Sequence, residues 1–439
     1  MYMGRSLCSC TQIDTPAPPP QGARVLLRRN QNFRLLFGAS GFSNLADGVA
    51  LLAFPWLASL LTRDPFLISL VAAAGRLPWL LFTAPAGVLA DRLDRRRLMV
   101  LADAGRAIVA VLVVALVWIA PLEDQAGTGF IWVLAGLAFI LGMAEVLKDN
   151  TAQTALPSVV DSADLETANG QMWSLEQVIG TFAGPPLAGI LIAWAVPAPF
   201  QLIAILFALA AFFVARVQFP PRKAAPVTSP WQDFKDGARW LWRHKTVLKL
   251  GILLGCINGL TAGFVTLYVL ISQDILGLNA FQHGLLMMAA GIGGVIGGIA
   301  GPKLINLLGA QVVFIGAQIT FLIEPITLSF SSNVWMIGSA LAVAMFAAVS
   351  YNVVTVSYRQ REIPDALLGR VNALFRLLGW GVIPIGTLIT GAVVSWLEPS
   401  LGREAALRAP IMYSAFGLLA MIGFSALFIR VSEKKTPEP

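Results

Sequence analysis

The chain has 439 residues, of which 57% are hydrophobic and only 13% charged, with a formal net charge of +7. Because soluble domains carry about 25% charged residues, this composition excludes a soluble globular protein. The basic residues are scattered over many loops, which argues against a nucleic-acid-binding protein, in which they would form one face.

Apolar runs recur along the whole chain, and their lengths predict membrane spans. About 20 apolar residues are needed to cross roughly 30 Å of hydrocarbon. Runs of this length predict helices, because each backbone polar group must be satisfied within the segment. We predict twelve spans, at residues 34–60, 66–90, 98–120, 130–149, 171–195, 198–218, 247–272, 282–307, 311–331, 334–356, 371–397 and 410–430. The predicted fold class is therefore an all-α membrane protein with twelve transmembrane helices.

The predicted spans fall into two sets of six, an arrangement typical of duplicated secondary transporters. We predict a disordered tail at 1–32, six-helix bundles at 33–218 and 247–430, a linker at 219–246 and a tail at 431–439. In the linker, Trp231, Phe234, Leu241 and Trp242 lie near helical spacing with charges between them. This pattern predicts an interfacial amphipathic helix, with a plain solvated linker as the alternative. Cys8 and Cys10 are interpreted as reduced thiols of a cytoplasmic tail, rather than as a metal or lipid site.

Lysine and arginine are concentrated on one side of the predicted topology. That side holds both termini and the linker, whereas the other side holds only Arg63, Arg403 and Arg408. Since cytoplasmic loops are enriched in Lys and Arg, we predict a multi-pass protein of the cell (inner) membrane with both termini in the cytoplasm.

Residues 87–100, GVLADRLDRRRLMV, hold six charged side chains between two strongly apolar runs. Inside lipid each charge would cost about 2.5–3.5 kcal/mol, so this stretch is predicted to be a short loop at the water interface between spans 2 and 3.

Three stretches carry a resemblance to a known family. GVLADRLDRRR resembles the loop motif of the major facilitator superfamily, although that motif usually has Gly where Asp94 stands. GTFAGPPLAG, residues 180–189, resembles the Gly-Pro motif of its antiporters, with Ala188 in place of a usual Gly. Residues 154–170 and 351–391 resemble the branch that contains macrolide-efflux proteins and the enterobactin exporter. The resemblance covers roughly residues 30–430 and implies two pseudo-symmetric halves and a drug:proton antiporter.

The resemblance also implies a cytoplasmic gate. Asp91 would accept backbone N–H groups at the start of span 11, where the helix dipole favours negative charge. Arginines of the loop would pair with acids at the end of span 4, and the contacts would break when the cytoplasmic side opens. The alternative is that these charges only anchor the topology. The predicted gate residues are Gly87, Asp91, Arg92, Arg95, Arg96 and Asp149.

Span 5 contains a face of small residues and a predicted kink. Small residues let helices approach closely, and proline interrupts the helical hydrogen bonds. This suits two halves that rock against each other, with tight packing of a static bundle as the alternative. The predicted hinge residues are Gly180, Gly184, Pro185 and Gly189.

Charges at mid-depth in the membrane are costly, so they are candidate site residues. Asp47 and Glu145 are the proton-coupling candidates, with the alternative that Asp47 pairs permanently with Arg76. Asp103 and Arg106 are spaced to satisfy each other as an i, i+3 pair. In the superfamily, spans 1, 4, 7 and 10 line the cavity. The candidate cavity and substrate residues are Asn44, Arg76, Trp173, Asn258 and Asn352.

The sequence offers little for chemistry. It has two histidines and no Walker loop or metal-ligand cluster, so we expect no enzyme activity, catalytic residue, metal or cofactor. The predicted function is proton-coupled efflux of a drug-like or siderophore-like compound by alternating access. The expected partners are a small-molecule substrate, protons and the lipid bilayer, with a monomeric chain. Transport of a lysophospholipid or other lipid-like solute, and a non-transporting membrane sensor, are the alternatives.

Overall fold

The computed structural model describes residues 23–121, 128–161, 164–220 and 230–431, and within these ranges every regular element is helical. The tail residues 1–22, with Cys8 and Cys10, and residues 432–439 lie outside the described residues. The predicted disorder of residues 1–32 is wrong for its final part. Ala23–Arg29 is a helix, because Leu26 is buried among apolar side chains that include Phe33 and Met99.

The first set of spans lies near the predicted positions, but span 4 continues to Val159, beyond the predicted end at 149, and span 5 begins at Leu165, before the predicted start at 171. Span 1 is Gln31–Leu61; span 2 runs as Pro65–Leu81 and Thr83–Arg92; span 3 is Arg95–Ile119; span 4 is Thr128–Val159; span 5 runs as Leu165–Leu175, a π-helix Glu176–Ala183 and Gly184–Trp194; span 6 is Ala198–Ala215. We call these spans the first half.

The second set follows a linker helix. The linker helix is Pro230–Arg243; span 7 is Lys245–Leu270, continued by a π-helix Ile271–Ile275; span 8 is Ala280–Leu308; span 9 runs as Ala310–Thr320 and Ile323–Phe330; span 10 is Val334–Glu362; span 11 runs as Asp365–Trp380 and Ile383–Leu401; span 12 is Arg403–Phe428. We call spans 7 to 12 the second half. Eleven of the twelve described spans are long and apolar enough by themselves to cross a membrane, and the first segment of span 2 is the shorter exception.

Side chains that the sequence places between spans fix several helix starts. Asn30 caps span 1 by accepting the N–H of Phe33 at 2.9 Å, and its amide donates to the carbonyl oxygen of Val159 at 2.6 Å. Asp94 caps span 3 by accepting the N–H of Arg97 at 2.8 Å. These caps satisfy backbone donors that a helix start leaves without partners. Gly309, with φ of 82°, reverses the chain in a conformation that a side chain would disfavour.

The halves meet along two pairs of spans, mainly at one end of the bundle. Ile383–Leu401 of span 11 packs on Pro65–Leu81 of span 2, and span 8 packs on Gly184–Trp194 of span 5. We call this the opposite end, and the end rich in Lys and Arg, where span 1 begins, the basic end. There, Thr83–Arg92 packs on span 4, and Asp365–Trp380 packs on the linker helix and span 7. The contacts between the halves are therefore strongest at the opposite end.

The linker helix predicted from the aromatic spacing is present. Leu241 is buried, whereas the side chains of Phe234 and Trp242 are exposed. The helix packs against span 11, where Gly237 allows the close approach of Leu374. Its position at a membrane surface stays a prediction, as do the exact domain boundaries.

Candidate transport site

A chain of alternating charges joins spans 1, 3 and 4 in the first half. Arg106 is fully buried, forms an ion pair with Asp47 and donates to the Ser43 hydroxyl at 3.1 Å. Its guanidinium carbon lies 3.9 Å from the centre of the Phe207 ring. Because a buried arginine without a carboxylate would be very costly, Asp47 and Arg106 depend on each other.

Asp103 extends this chain into the core. Its carboxylate lies 3.1 Å from the Lys148 ammonium and 3.7 Å from the Arg106 guanidinium. All three side chains are buried. The expected pair of Asp103 with Arg106 is therefore present, but Lys148 approaches Asp103 more closely.

Arg76 pairs with Glu145 at 3.6 Å, and this pair is more accessible than the others. The Arg76 side chain is 48% exposed and that of Glu145 is 18% exposed. The alternative in which Asp47 pairs with Arg76 is wrong, because Asp47 pairs with Arg106 on span 3. The rotation of span 2 directs Arg76 to span 4 instead.

One face of span 4 looks into the space between the halves. Glu145, Asp149 and Gln153 recur every fourth residue and so share a face. Gln153 accepts a hydrogen bond at 3.4 Å from Arg376, which belongs to span 11 in the second half. Glu145 and Asp149 therefore lie on the face of span 4 that is turned towards the second half.

The other predicted cavity residues lie on several spans. Asn44 is half-buried on span 1, beside Gly180 of span 5. Trp173 is exposed on span 5, next to Gly298 of span 8. Asn352 is exposed on span 10. Asn258 is half-buried, and its amide donates to the carbonyl oxygen of Gly379 at 2.8 Å, so it also ties span 7 to span 11.

The predicted hinge residues divide into two groups by what they contact. Gly180 and Gly184 pack against span 1 within the first half, where Gly48 faces both. Gly189 and Pro185 pack against Ala280–Leu308 of the second half. Gly180 lies within the π-helix Glu176–Ala183, and the other three hinge residues lie in Gly184–Trp194, which follows it directly. Such segments interrupt the regular hydrogen bonding of a helix.

The predicted gate lies at the basic end. Span 2 is interrupted at Phe82, and Gly87 lies on its second segment. The side chains of Asp91 and Arg92 lie outside the described residues. Arg95 is half-buried and Arg96 is exposed at the start of span 3, while Asp149 is half-buried on span 4. Their role as a gate stays a prediction.

A polar network at the opposite end joins the two halves. Arg63 forms an ion pair with Asp274 and donates to Gln273 at 2.7 Å. Asp274 also pairs with Arg403 at 3.0 Å. The Ser395 hydroxyl donates to Asp64 at 2.8 Å. These contacts tie the loop after span 1 to spans 7, 11 and 12.

The full-length match decides the family. The model of the family described as transmembrane secretion effector (MFS_3) matches residues 26–436. The chain belongs to this family of the major facilitator superfamily.

Relatives in this superfamily align over nearly their whole length. The chain is 25% identical over 414 residues to the multidrug efflux pump Tap of Mycolicibacterium fortuitum, covering 90% of this chain and 95% of that protein. It is 27% identical over 430 residues to the Tap pump of Mycobacterium tuberculosis, covering 90% and 94%. It is 24% identical over 421 residues to the enterobactin exporter EntS of Escherichia coli, covering 93% and 94%.

Solved structures support the major facilitator fold of twelve helices in two halves. A mutant of the nucleoside transporter NupG superposes with a TM-score of 0.71 at 14% identity, covering 91% of this chain and 100% of that one. A bacterial homologue of the iron transporter ferroportin in an inward-facing state gives 0.67 at 18% identity, covering 90% and 99%. At these identities the likeness shows the fold alone.

The network at the opposite end of this major facilitator protein was not predicted from the sequence. Arg63, Asp274 and Arg403 read as ordinary loop charges, and the first two are separated by 211 residues. Few charged residues lie on that side of the predicted topology, and this small number was a signal that could have identified these three residues.

Proposed function

We propose that this chain is a secondary active transporter that exports a drug-like or siderophore-like small molecule in exchange for protons. Relatives named as a multidrug efflux pump and as an enterobactin exporter support export of such compounds. The chain acts as a monomer in the cell inner membrane, catalyses no covalent reaction and needs no cofactor. Its basic end, with both termini, faces the cytoplasm, as the distribution of Lys and Arg favours.

The observation that carries proton coupling is the imbalance of charge in the first half. Asp47, Asp103 and Glu145 form ion pairs with Arg106, Lys148 and Arg76. Asp149 lies within electrostatic reach of Lys148 and Arg106, so four carboxyl groups share three cations. In a site with little water, a negative charge without a cation partner is unfavourable. Binding of one proton by the carboxyl groups therefore neutralises the cluster. Since the groups interact strongly, the proton belongs to the cluster rather than to one residue alone.

The proton enters the cluster at the Arg76–Glu145 pair, which is more accessible to solvent than the other pairs. Glu145 faces the cavity and is held by Arg76 at 3.6 Å, so water can reach it. Asp47 is 30% exposed and lies next to the fully buried Arg106. Protonation of Glu145 releases Arg76, and protonation of Asp47 weakens the link between spans 1 and 3. Asp103, buried between Arg106 and Lys148, holds both cations in place.

Alternating access follows from the uneven contacts between the halves. The opposite end is closed by paired spans and by the Arg63–Asp274 network, whereas the segments at the basic end pack mainly within their own halves. The contacts that these segments make across the halves, such as that of Arg376 with Gln153, are weaker. With the basic end in the cytoplasm, this is an inward-facing pose. The outward-facing pose requires the network at the opposite end to break and the predicted gate around Asp91 to form.

The proton gradient supplies enough free energy for this cycle. Each proton contributes about 2.3 kcal/mol per 100 mV of membrane potential. A difference of one pH unit adds about 1.4 kcal/mol.

The test is transport by purified protein in liposomes with an imposed pH gradient, over a small panel of antibiotics and catecholate siderophores. We expect at least one compound to move against its gradient only while the pH gradient lasts, and an uncoupler to abolish the movement. Glu145→Gln and Asp47→Asn should each reduce pH-driven transport at least 10-fold. The matched control is Asp236→Asn in the linker helix, which should transport normally. Transport that persists unchanged in both cluster variants would exclude this cluster as the coupling site.

A further inference from the structure

The second half carries an arginine whose partners are all neutral. Arg359, near the end of span 10, donates to the carbonyl oxygen of Thr355 at 3.2 Å and to the Asn372 amide oxygen at 3.2 Å. Its guanidinium carbon lies 3.7 Å from the centre of the Phe375 ring. Among the described side chains, no carboxylate forms an ion pair with it.

A second arginine lies close by on span 11. Arg376 donates to Gln153 of the first half at 3.4 Å, and its guanidinium carbon lies 5.6 Å from the centre of the Trp380 ring. It acts on Arg359 as a like charge, and the carboxylate of Glu176 on span 5 lies within electrostatic reach of it. The described residues give Arg376 no direct ion pair. Two arginines of like charge therefore stand together on the wall of the second half.

This arrangement contrasts with the rest of the molecule. In the first half, Arg76, Arg106 and Lys148 each have a carboxylate within 4 Å. Holding two guanidinium groups together, partly buried and without a direct carboxylate partner, is unfavourable. Stacking on Phe375 and hydrogen bonds to neutral groups orient Arg359 but do not neutralise it.

The groove around these arginines has the further features of a binding surface. Asn352 lies about two turns before Arg359 on span 10 and is exposed. Trp380 is exposed beside Arg376. The planar guanidinium group of Arg359, stacked on an aromatic ring, is suited to binding oxygen anions. Guanidinium groups bind such anions through two parallel hydrogen bonds.

We propose that Arg359 and Arg376 form a subsite for the anionic oxygen of the transported solute, such as a carboxylate, phosphate or phenolate. The inference rests on the proposed function, since it assigns one pole of the substrate of that exporter. The acidic face of span 4, with Glu145 and Asp149, stands on the other wall. The solute class is therefore amphoteric, with its anionic oxygen on the second half and a cationic or hydrogen-bonding group on the first.

The test compares two xanthene dyes of similar size on the purified full chain in detergent, with binding measured by fluorescence anisotropy. Fluorescein is anionic and rhodamine 6G is cationic. We expect Arg359→Gln and Arg376→Gln each to weaken fluorescein binding about 10-fold or more, and to change rhodamine 6G binding less than about 2-fold. Added salt should weaken fluorescein binding to the unaltered protein, because the attraction is electrostatic.

The matched control is Arg361→Gln, two residues along span 10 and exposed, which should leave fluorescein binding unchanged. If Arg359→Gln does not fold, fluorescein binding to Arg359→Lys and to Arg376→Gln tests the proposal instead. The lysine variant keeps the charge but loses the planar fork, so about a 3-fold loss is expected. The proposal is overturned by equal losses for both dyes, by fluorescein binding that neither arginine affects, or by no fluorescein binding to the unaltered protein.

Transport separates this inference from the proposed function. If pH-driven transport is observed while the arginine variants leave fluorescein binding unchanged, the proposed subsite is wrong and the proposed exporter function is retained. If fluorescein binding depends on the arginines but no solute responds to a pH gradient, the subsite stands and proton coupling is wrong.

Discussion

Arg63, in the loop after span 1, forms an ion pair with Asp274, at the end of span 7. This pair connects the first half to the second at the end where their spans also pack most closely. Arg403 holds the other oxygen of Asp274 at 3.0 Å and also pairs with Glu398 at 2.8 Å. Opening this end therefore requires the loss of contacts in one connected network.

Replacing Arg63 by Gln should favour opening of the opposite end. The Arg63 side chain is 40% exposed, so the pair contributes about 0.2–1 kcal/mol, and the open population should rise about 1.4- to 5-fold. The measurement is labelling of Ser69→Cys, buried against Gly391, by a membrane-impermeant maleimide in a chain with its three native cysteines replaced by serine. Arg408→Gln is the control, because the partners of Arg408, Glu404 on span 12 and the chain around Ser331, belong to the second half. Equal labelling in all three proteins would contradict this role of Arg63.

Asp103→Asn should destabilise the protein strongly. The carboxylate is fully buried between Lys148 and Arg106, and removing one partner of such a cluster costs about 3–5 kcal/mol. A large fall in the thermal unfolding temperature in detergent is expected. Asp236→Asn removes a carboxylate from more exposed pairs with Arg239 and Arg370, and should cost less than about 1 kcal/mol. Similar unfolding temperatures for the two variants would show that Asp103 is not a structural anchor.

Gly48→Ala and Gly189→Ala should have different effects. An added Cβ at Gly48 would collide with the backbone of Gly180 inside the first half, so the yield of folded protein should fall. A Cβ at Gly189 would lie 2.5 Å from the carbonyl oxygen of Ala280 in the second half, so it would push the two halves apart at the opposite end. This variant should fold but show several-fold changed transport and more maleimide labelling of Ser69→Cys. Gly136→Ala, with open space around it, should match the unaltered protein.

Asp91→Asn tests the predicted gate at the basic end. If Asp91 binds the start of span 11 in the outward-facing pose, its neutralisation should reduce transport at least several-fold while the amount of protein in the membrane stays near normal. The measurement is transport normalised to the protein present in the liposomes. Normal transport by this variant would leave the loop with a role in topology only.

The sequence by itself determined the twelve spans and most helix starts. The thickness of the hydrocarbon sets the length of an apolar run, and residues such as Asn30 and Asp94 satisfy helix starts through neighbours three residues away. Both signals are local, so they can be read from a single chain. The helix 23–29 was missed because the apolar cluster that buries Leu26 includes side chains from distant spans, such as Met99 and Leu156.

Only the tertiary structure decided which charges meet. Asp47 pairs with Arg106 rather than Arg76, and Arg63 reaches a carboxylate 211 residues away. An ion pair needs a separation of a few ångströms, which depends on how each helix is rotated about its axis and which helix lies beside it. Helical periodicity gives the face on which a charge stands, but the partner on that face is fixed only when the helices pack.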